Sequence, residues 1–188
     1  MAGVTGFVWL MYLYMRIATG GPCAKPELVQ NFEPKRYLGV WYEMRRDTDI
    51  WFEEGECVTA QYTLKDNGTV EVANTQYFGY FGGPDEEELA IGGAQINRWA
   101  GKLWVYFFAG LGGNYAILDT DYTGYSVVYS CTSYESAGVR LTGDTSWLLV
   151  RDQIEEDSVA YTNLMLTVAP IYESKVPDYD PSERMRTT

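Results

Sequence analysis

Eight short strand-like segments follow one another along residues 40–151, and residues that favour turns separate each segment from the next. The segments lie at 40–46, 57–64, 69–78, 88–96, 102–108, 115–120, 125–131 and 145–151. Short strands at this spacing are typical of antiparallel barrels in which each strand pairs with the next. A barrel of about eight strands has room for one small ligand. The sequence therefore predicts an all-β fold, an eight-stranded up-and-down antiparallel barrel.

The turn between the second and third segments carries a specific signal. Residues 65–68 read Lys-Asp-Asn-Gly, and Asn-Gly supplies the positive φ angles that a type I′ hairpin turn requires. Asn67 also begins an Asn-Gly-Thr sequence, which is a glycosylation acceptor in exported proteins. The turn alone would explain the same residues, so both interpretations stay open.

Charge and composition narrow the classes of function. The chain has 14 basic and 26 acidic side chains, a formal net charge of −12, and no histidine. Because phosphate binding needs a basic face, this charge argues against a nucleic-acid partner. Histidine is the usual general base and the commonest metal ligand. We therefore expect no catalytic activity, no metal site and no required cofactor.

The first 21 residues differ from the rest of the chain. An apolar run at 3–15 is followed by Arg16 and the small residues of 18–21. This pattern resembles a secretory signal peptide and predicts a secreted or extracytoplasmic protein. No basic residue precedes the run, so an uncleaved, membrane-associated segment is the alternative. The run is shorter than the roughly 20 residues that a membrane-spanning helix needs.

The period of the apolar residues changes after the last strand. Apolar side chains spaced as on a helix, with acidic residues in the first turns, predict one α-helix at about 153–169, packed outside the barrel. Pro170 is expected to end this helix and residues 171–172 to add a short strand, so the barrel domain spans 22–172. Few apolar residues follow, which predicts a flexible polar tail at 173–188.

Three motifs in order carry a resemblance to a known family. Asn31-Phe32 with the Tyr-Leu-Gly-Val-Trp-Tyr-Glu of residues 37–43 resembles the opening motif of lipocalins. The Thr-Asp-Tyr at 120–122 resembles their second motif, and the Trp-Leu-Leu-Val-Arg at 147–151 resembles the third. Within the family, similarity is closest to the apolipoprotein D, bilin-binding and crustacyanin branch.

The resemblance implies structural roles for several of these residues. In lipocalins the motif tryptophan closes the barrel floor and the third-motif arginine packs across it, which here are Trp41 and Arg151. By the same analogy Cys23 forms a disulfide with Cys131. The family partner of Cys57 has no counterpart here, so we expect Cys57 to be a free, buried thiol. Attachment of a ligand or of another chain to Cys57 is the alternative.

The resemblance also implies that the barrel binds or transports a small apolar ligand such as a bilin, carotenoid, retinoid, sterol or fatty acid. Alternation along each strand assigns an inward-facing set of side chains. Matching strand positions give five candidate ligand-binding residues: Ala60, Tyr62, Asn74, Phe107 and Trp147. Tyr62 and Asn74 offer polar anchors, and the other three offer apolar contact. The alternative is that these side chains fill a closed core.

The sequence leaves two other functions open. The first is an enzyme, since a few lipocalins use a cysteine that faces the cavity. Here alternation places Cys57 on the outer face, and no nucleophile–base pair is visible in the sequence. The other function is an accessory subunit of a larger complex. It would contact a membrane through the N-terminal segment and dock through Trp51 and Phe52, which lie in the first long loop.

Overall fold

The structure of the chain is a computed structural model that describes residues 18–19, 22–48, 50, 53–79, 86–97, 101–106, 112–136 and 138–188. Of the predicted N-terminal segment, only Ala18 and Thr19 fall within these ranges. Trp51, Phe52 and Phe107 lie outside the described residues. Within them, no helix is both long enough and apolar enough to cross a membrane.

Eight strands form a closed ring. Each pairs antiparallel with the next along the chain, and the last pairs back with the first. The predicted up-and-down barrel is therefore confirmed. The ring consists of β2 (Gly39–Asp47), β3 (Glu56–Leu64), β4 (Val70–Phe78), β5 (Glu86–Asn97), β6 (Lys102–Tyr106), β7 (Gly112–Thr120), β8 (Tyr125–Ser136) and β9 (Val139–Val150).

Two further short strands extend the sheet beyond the ring. β1 (Ala18–Thr19) pairs with β9, and β10 (Met185–Thr187) pairs with the end of β2. Between β1 and β2 lies the one-turn helix α1 (Pro34–Tyr37). The chain therefore covers part of the barrel wall with segments from both of its ends.

A β-bulge interrupts β2 at the point where its side chains enter the polar part of the barrel. The register with β9 shifts between Glu43 and Arg45. Glu43 lies opposite Leu149 and Arg46 lies opposite Trp147. Because the bulge adds one residue to β2, two side chains three positions apart share the inner face. Simple alternation from Trp41 would have placed Arg46 outside.

Buried apolar side chains form two clusters, one on each side of the barrel wall. The inner cluster consists of Phe32, Tyr37, Trp41, Tyr62, Val70, Val72, Ala94, Leu103, Ile117, Val128 and Leu149. The outer cluster consists of Met44, Leu118, Val127, Tyr129, Cys131, Leu148, Val150, Val168, Tyr172, Val176, Tyr179 and Met185. The outer cluster includes helix residues, so it joins the C-terminal part of the chain to the wall.

The long helix α2 (Val159–Lys175) packs outside the ring, as predicted, but its predicted bounds were wrong. It begins where the Ser158 hydroxyl accepts a hydrogen bond from the Tyr161 N–H, because this cap satisfies a free N–H of the first turn. Pro170 lies inside the helix and does not end it. Val168 and Tyr172 are fully buried on either side of the proline, and their packing offsets the roughly 3 kcal/mol that an interior proline costs.

The predicted flexible tail at 173–188 is also wrong. Val176, Tyr179 and Met185 are buried in the outer cluster, and α3 (Pro181–Arg184) leads directly into β10. The Arg184 guanidinium donates to the carboxylates of Asp47 and Asp144, each at 2.7 Å. The few apolar side chains of this segment are enough because nearly all of them are buried. The predicted domain end at residue 172 falls with the tail, because α2 continues to Lys175, and the boundary between residues 21 and 22 stays a prediction.

One hydroxyl inside the outer cluster gives a test of how α2 is held. The Tyr172 hydroxyl lies 2.8 Å from the Ser146 hydroxyl, and both side chains are buried. Tyr172→Phe is expected to lower the free energy of unfolding by about 1 kcal/mol through loss of this hydrogen bond. Urea unfolding followed by circular dichroism measures the change. Tyr161→Phe, half-buried on the same helix, is the matched control, and an equal loss there would contradict a role for the bond.

The Cys23–Cys131 disulfide implied by the family resemblance is confirmed. It joins the segment before α1 to β8 across a sequence separation of 108 residues. Closing a loop of this length restricts the unfolded chain strongly, which stabilises the folded barrel. Cys131 is buried in the outer cluster.

The β3–β4 hairpin differs in detail from the predicted turn. Gly68 has a φ of +82°, but Asn67 is not among the residues with positive φ. A type I′ turn needs positive φ at both positions, so the predicted turn type is wrong. The Asn67 side-chain oxygen instead accepts hydrogen bonds from the N–H and the hydroxyl of Thr69. These bonds hold the turn in its observed form.

Candidate functional site

The closed end of the barrel is built around the stacked pair of Trp41 and Arg151. Trp41 is completely buried, and the Arg151 guanidinium carbon lies 3.7 Å from the centre of its ring. The indole N–H donates to the Tyr37 carbonyl at 2.9 Å. A cation over an indole contributes about 0.5–2 kcal/mol. The structure thus places these two residues together at the floor, where the family analogy expected them.

Arg151 also joins three chain segments at the floor. Its guanidinium donates to the backbone carbonyls of Arg36, Leu38, Val40 and Tyr122, at 2.7–3.0 Å. Leu38 and Val40 belong to the first family motif, and Tyr122 belongs to the second. One side chain therefore holds all three motifs together, which explains why they occur as a set.

Above the floor lies a cluster of tyrosines. The Tyr37 hydroxyl is 3.0 Å from the Tyr115 hydroxyl and 2.9 Å from the Ser126 hydroxyl. The Tyr62 ring packs against both tyrosines, and the Tyr115 ring stacks on Trp147 with centres 6.5 Å apart. Burial raises the pKa of Tyr37 to about 12, so its hydroxyl stays protonated. The result is an uncharged aromatic wall.

Beyond the tyrosine cluster, away from the floor, lies a layer of polar side chains with Glu53 at its centre. Glu53 comes from the loop between β2 and β3, and its side chain is buried. Its carboxyl accepts a hydrogen bond from the Trp147 indole N–H at 2.8 Å and one from the Asn74 amide at 3.4 Å. The loop therefore places an acid group beside two of the predicted ligand-binding residues.

In the same layer a buried arginine is hydrogen-bonded to an acidic side chain. Arg46, 1% exposed, donates to the Glu43 carboxyl and to the Gly55 carbonyl, each at 2.6 Å. The Gly55 N–H donates to the Gln76 side-chain oxygen at 3.0 Å. These bonds anchor the loop that carries Glu53 to the strands on either side of it.

Glu43 and Glu53 are two buried acids in the same layer, and the charge of Arg46 acts on both carboxyls. The pKa of Glu43 is raised from its ordinary 4.5 to about 8, mainly by burial and also by the Glu53 charge, while Arg46 acts to lower it. Burial also raises the pKa of Glu53. The pair therefore keeps at least one proton at neutral pH.

The structure brings together four of the five predicted ligand-binding residues. Tyr62 belongs to the inner cluster, and Ala60 and Trp147 pack against it. Asn74 lies opposite Ala60 in the β3–β4 pairing and contacts Glu53. Phe107 lies outside the described residues.

Sequence reasoning missed several residues at this site. Tyr115 and Glu43 lie on predicted strands, and Glu43 follows Trp41 by two positions, so alternation would have found it. Arg46 is inside only because of the bulge in β2. Glu53 lies in a loop, where no periodic signal predicts the direction of a side chain.

Cys57 is unpaired and exposed, so the expected burial of its thiol is wrong. Its φ is +52°, because it lies at the irregularity in β3 between Glu56 and Thr59. Beside it, a cavity of about 140 Å³ is lined by side chains of the outer wall, among them Tyr42, Met44 and Val150. This cavity is smaller than the roughly 300–1,000 Å³ of typical ligand sites.

A closed eight-stranded barrel with an arginine stacked on a tryptophan at its floor defines the class of fold, and the sequence comparisons identify the family. A family profile described as a lipocalin-like domain matches residues 32–165. The chain therefore belongs to the lipocalin family. The relatives below place it in the branch of apolipoprotein D.

Apolipoprotein D of Macaca fascicularis is 34% identical over 149 residues, which cover 78% of this chain and 76% of the relative. The Lazarillo protein of Schistocerca americana is 33% identical over 144 residues, which cover 70% of this chain and 61% of the relative. Among solved structures, insecticyanin of the tobacco hornworm Manduca sexta has a TM-score of 0.71 at 19% identity, covering 89% of this chain and 86% of its own. Lobster apocrustacyanin A1 has a TM-score of 0.58 at 19% identity, and the match covers 82% of this chain and 77% of apocrustacyanin. These two share the fold.

Proposed function

We propose that the chain binds one small apolar ligand inside the barrel, above the tyrosine cluster. Lipocalins bind small hydrophobic ligands. The observation that carries the proposal is the graded exposure of the inner wall. Tyr62, near the floor, is buried, whereas Tyr115 and Trp147 above it are only half-buried. Aromatic side chains with free surface inside a barrel offer stacking area to a planar or polyene ligand.

The half-buried wall supports binding in preference to a closed core. Ala60 on β3 and Val105 on β6 are half-buried as well, although both pack against the inner cluster. A filled core would bury such small apolar side chains completely. Bilins, carotenoids, retinoids, sterols and fatty acids all have the apolar surface that this wall would contact.

Tryptophan fluorescence tests the proposal. Titration with biliverdin, astaxanthin, retinol, progesterone or oleic acid is expected to change the tryptophan emission saturably for at least one ligand, because Trp147 lines the site. Trp147→Phe is expected to remove most of that change. Trp104→Phe is the matched control, since Trp104 is 46% exposed on the outer wall. A flat response to all five ligands would contradict the proposal.

We also propose that the chain is exported. The Cys23–Cys131 disulfide supports this, because disulfides persist in oxidising compartments. Asn67 lies exposed at the tip of the β3–β4 hairpin, as a glycosylation acceptor must. Both features agree with removal of the N-terminal segment as a signal peptide.

A further inference from the structure

In the polar layer inside the barrel, one hydrogen-bond acceptor lacks a donor among the described residues. The donors described in this layer point at other groups: the Trp147 N–H and one Asn74 amide N–H point at Glu53, and Arg46 points at Glu43 and Gly55. The Asn74 side-chain oxygen is buried and has no hydrogen-bond partner among the described residues. A buried acceptor without a partner carries a free-energy cost. A ligand that donates a hydrogen bond would remove this cost.

A second polar atom on the inner wall lacks a partner. Thr145 is 8% exposed, and its buried hydroxyl has no hydrogen bond within the part of the chain that the structure describes. Thr145 precedes Trp147 by two positions on β9, so both side chains face the interior. Ser146 between them faces outward, where it meets Tyr172. A hydroxyl both donates and accepts, so Thr145 adds capacity for a polar ligand group.

The charges of the layer select against an acid. Two carboxyls face one guanidinium, and Glu53 already takes the hydrogen bonds of Trp147 and Asn74 that a ligand carboxylate would accept. A carboxylate placed beside Glu53 would be a further acid group in a buried site, next to a carboxyl that already accepts two hydrogen bonds. Burying a charge without a partner is strongly unfavourable.

Resting on the proposed function, we propose that the ligand carries an uncharged polar end that donates a hydrogen bond, such as a hydroxyl, to the Asn74 side-chain oxygen beside Glu53. The apolar part of the ligand then lies against Tyr115 and Trp147. The site excludes ligands that end in a carboxylate. This assigns the apolar alcohols, including hydroxylated sterols and polyenes, as the ligand class.

Three probes with one C18 chain and different ends test this: oleyl alcohol, methyl oleate and oleic acid. Each competes with Nile red, an uncharged dye that fluoresces in apolar surroundings, at pH 7.4. Oleyl alcohol is expected to bind about tenfold more tightly than either of the others, because only it donates a hydrogen bond without a charge. Equal binding of oleic acid and oleyl alcohol would overturn the proposal.

Variants test separately the preference for a hydroxyl and the exclusion of a carboxylate. Asn74→Leu is expected to reduce oleyl alcohol binding to the level of methyl oleate. Glu53→Gln is expected to strengthen oleic acid binding several-fold, and Glu54→Gln, an exposed neighbour, is the matched control. If no C18 probe binds while the fluorescence titration succeeds, this proposal falls and the proposed function stands. If both experiments show no binding, both fall.

Discussion

The free energy of unfolding is expected to fall by about 1 kcal/mol for each pH unit between pH 5 and pH 8, because of Glu43. Burial raises the pKa of this carboxyl to about 8 from its ordinary 4.5. Between these two values the folded chain holds a proton that the unfolded chain has lost. Raising the pH therefore favours the unfolded state. Below pH 4.5 both states are protonated, and the stability from this group is fully present.

Glu53 acts in the same direction, since burial raises its pKa as well. Arg46 opposes both shifts, because its charge stabilises the ionised carboxyls. Urea unfolding at half-unit pH steps, followed by circular dichroism, gives the slope. In a chain with a net charge of −12, general repulsion also rises with pH, so the slope alone does not identify the residue.

Glu43→Gln isolates the contribution of this carboxyl. Glutamine resembles the protonated acid in shape and does not titrate. The variant is expected to match the parent at pH 5 and to exceed its stability by about 2–4 kcal/mol at pH 8.5. Glu54→Gln removes the same charge at an exposed position. Equal gains for both variants at high pH would show general repulsion and contradict the assignment.

The strands and their order could be predicted because each carries its own signal. Alternation and turn residues are local, and a closed ring is the way for such strands to leave no exposed edge. The predicted segment 125–131 nevertheless ended five residues before the end of β8, and 145–151 began six residues after the start of β9. The added residues of β8, 132–136, are exposed and mostly polar, so they lack the apolar alternation, and those of β9, 139–144, are mostly half-buried.

The candidate site could be predicted only where it lies on regular strands. Tyr62, Asn74 and Trp147 follow from alternation and family position. Arg46 depends on a bulge, which reverses alternation without a sequence signal. Glu53 depends on a loop that folds into the barrel, and only the completed ring of strands provides its partners.

Helix α2 likewise could not be predicted correctly from local sequence signals. Pro170 predicts the end of a helix, because a proline inside a helix removes a backbone hydrogen bond. In the structure α2 continues because Val168 and Tyr172 bury their side chains against β-strands that are distant in sequence. Tertiary packing decides the outcome wherever it exceeds the local preference.

Replacing Arg151 with alanine is expected to lower the free energy of unfolding by about 2–4 kcal/mol. The variant loses the guanidinium over Trp41 and leaves four backbone carbonyls without their donor. Because those carbonyls belong to different segments, the floor is expected to loosen as a unit. Urea unfolding measures the loss, and tryptophan emission is expected to shift to longer wavelength as Trp41 meets water.

Arg151→Lys separates charge from geometry. Lysine keeps the positive charge but lacks the planar fork that reaches several carbonyls at once, so it is expected to recover less than half of the lost stability. Arg140→Ala is the matched control, since Arg140 pairs with Glu135 on an exposed hairpin, where such a pair is worth about 0–1 kcal/mol. A loss at Arg151 no greater than at Arg140 would mean that packing around Trp41 closes the barrel without the arginine. Full recovery by lysine would mean that charge over the indole, and not the joining of three segments, is what the third motif supplies.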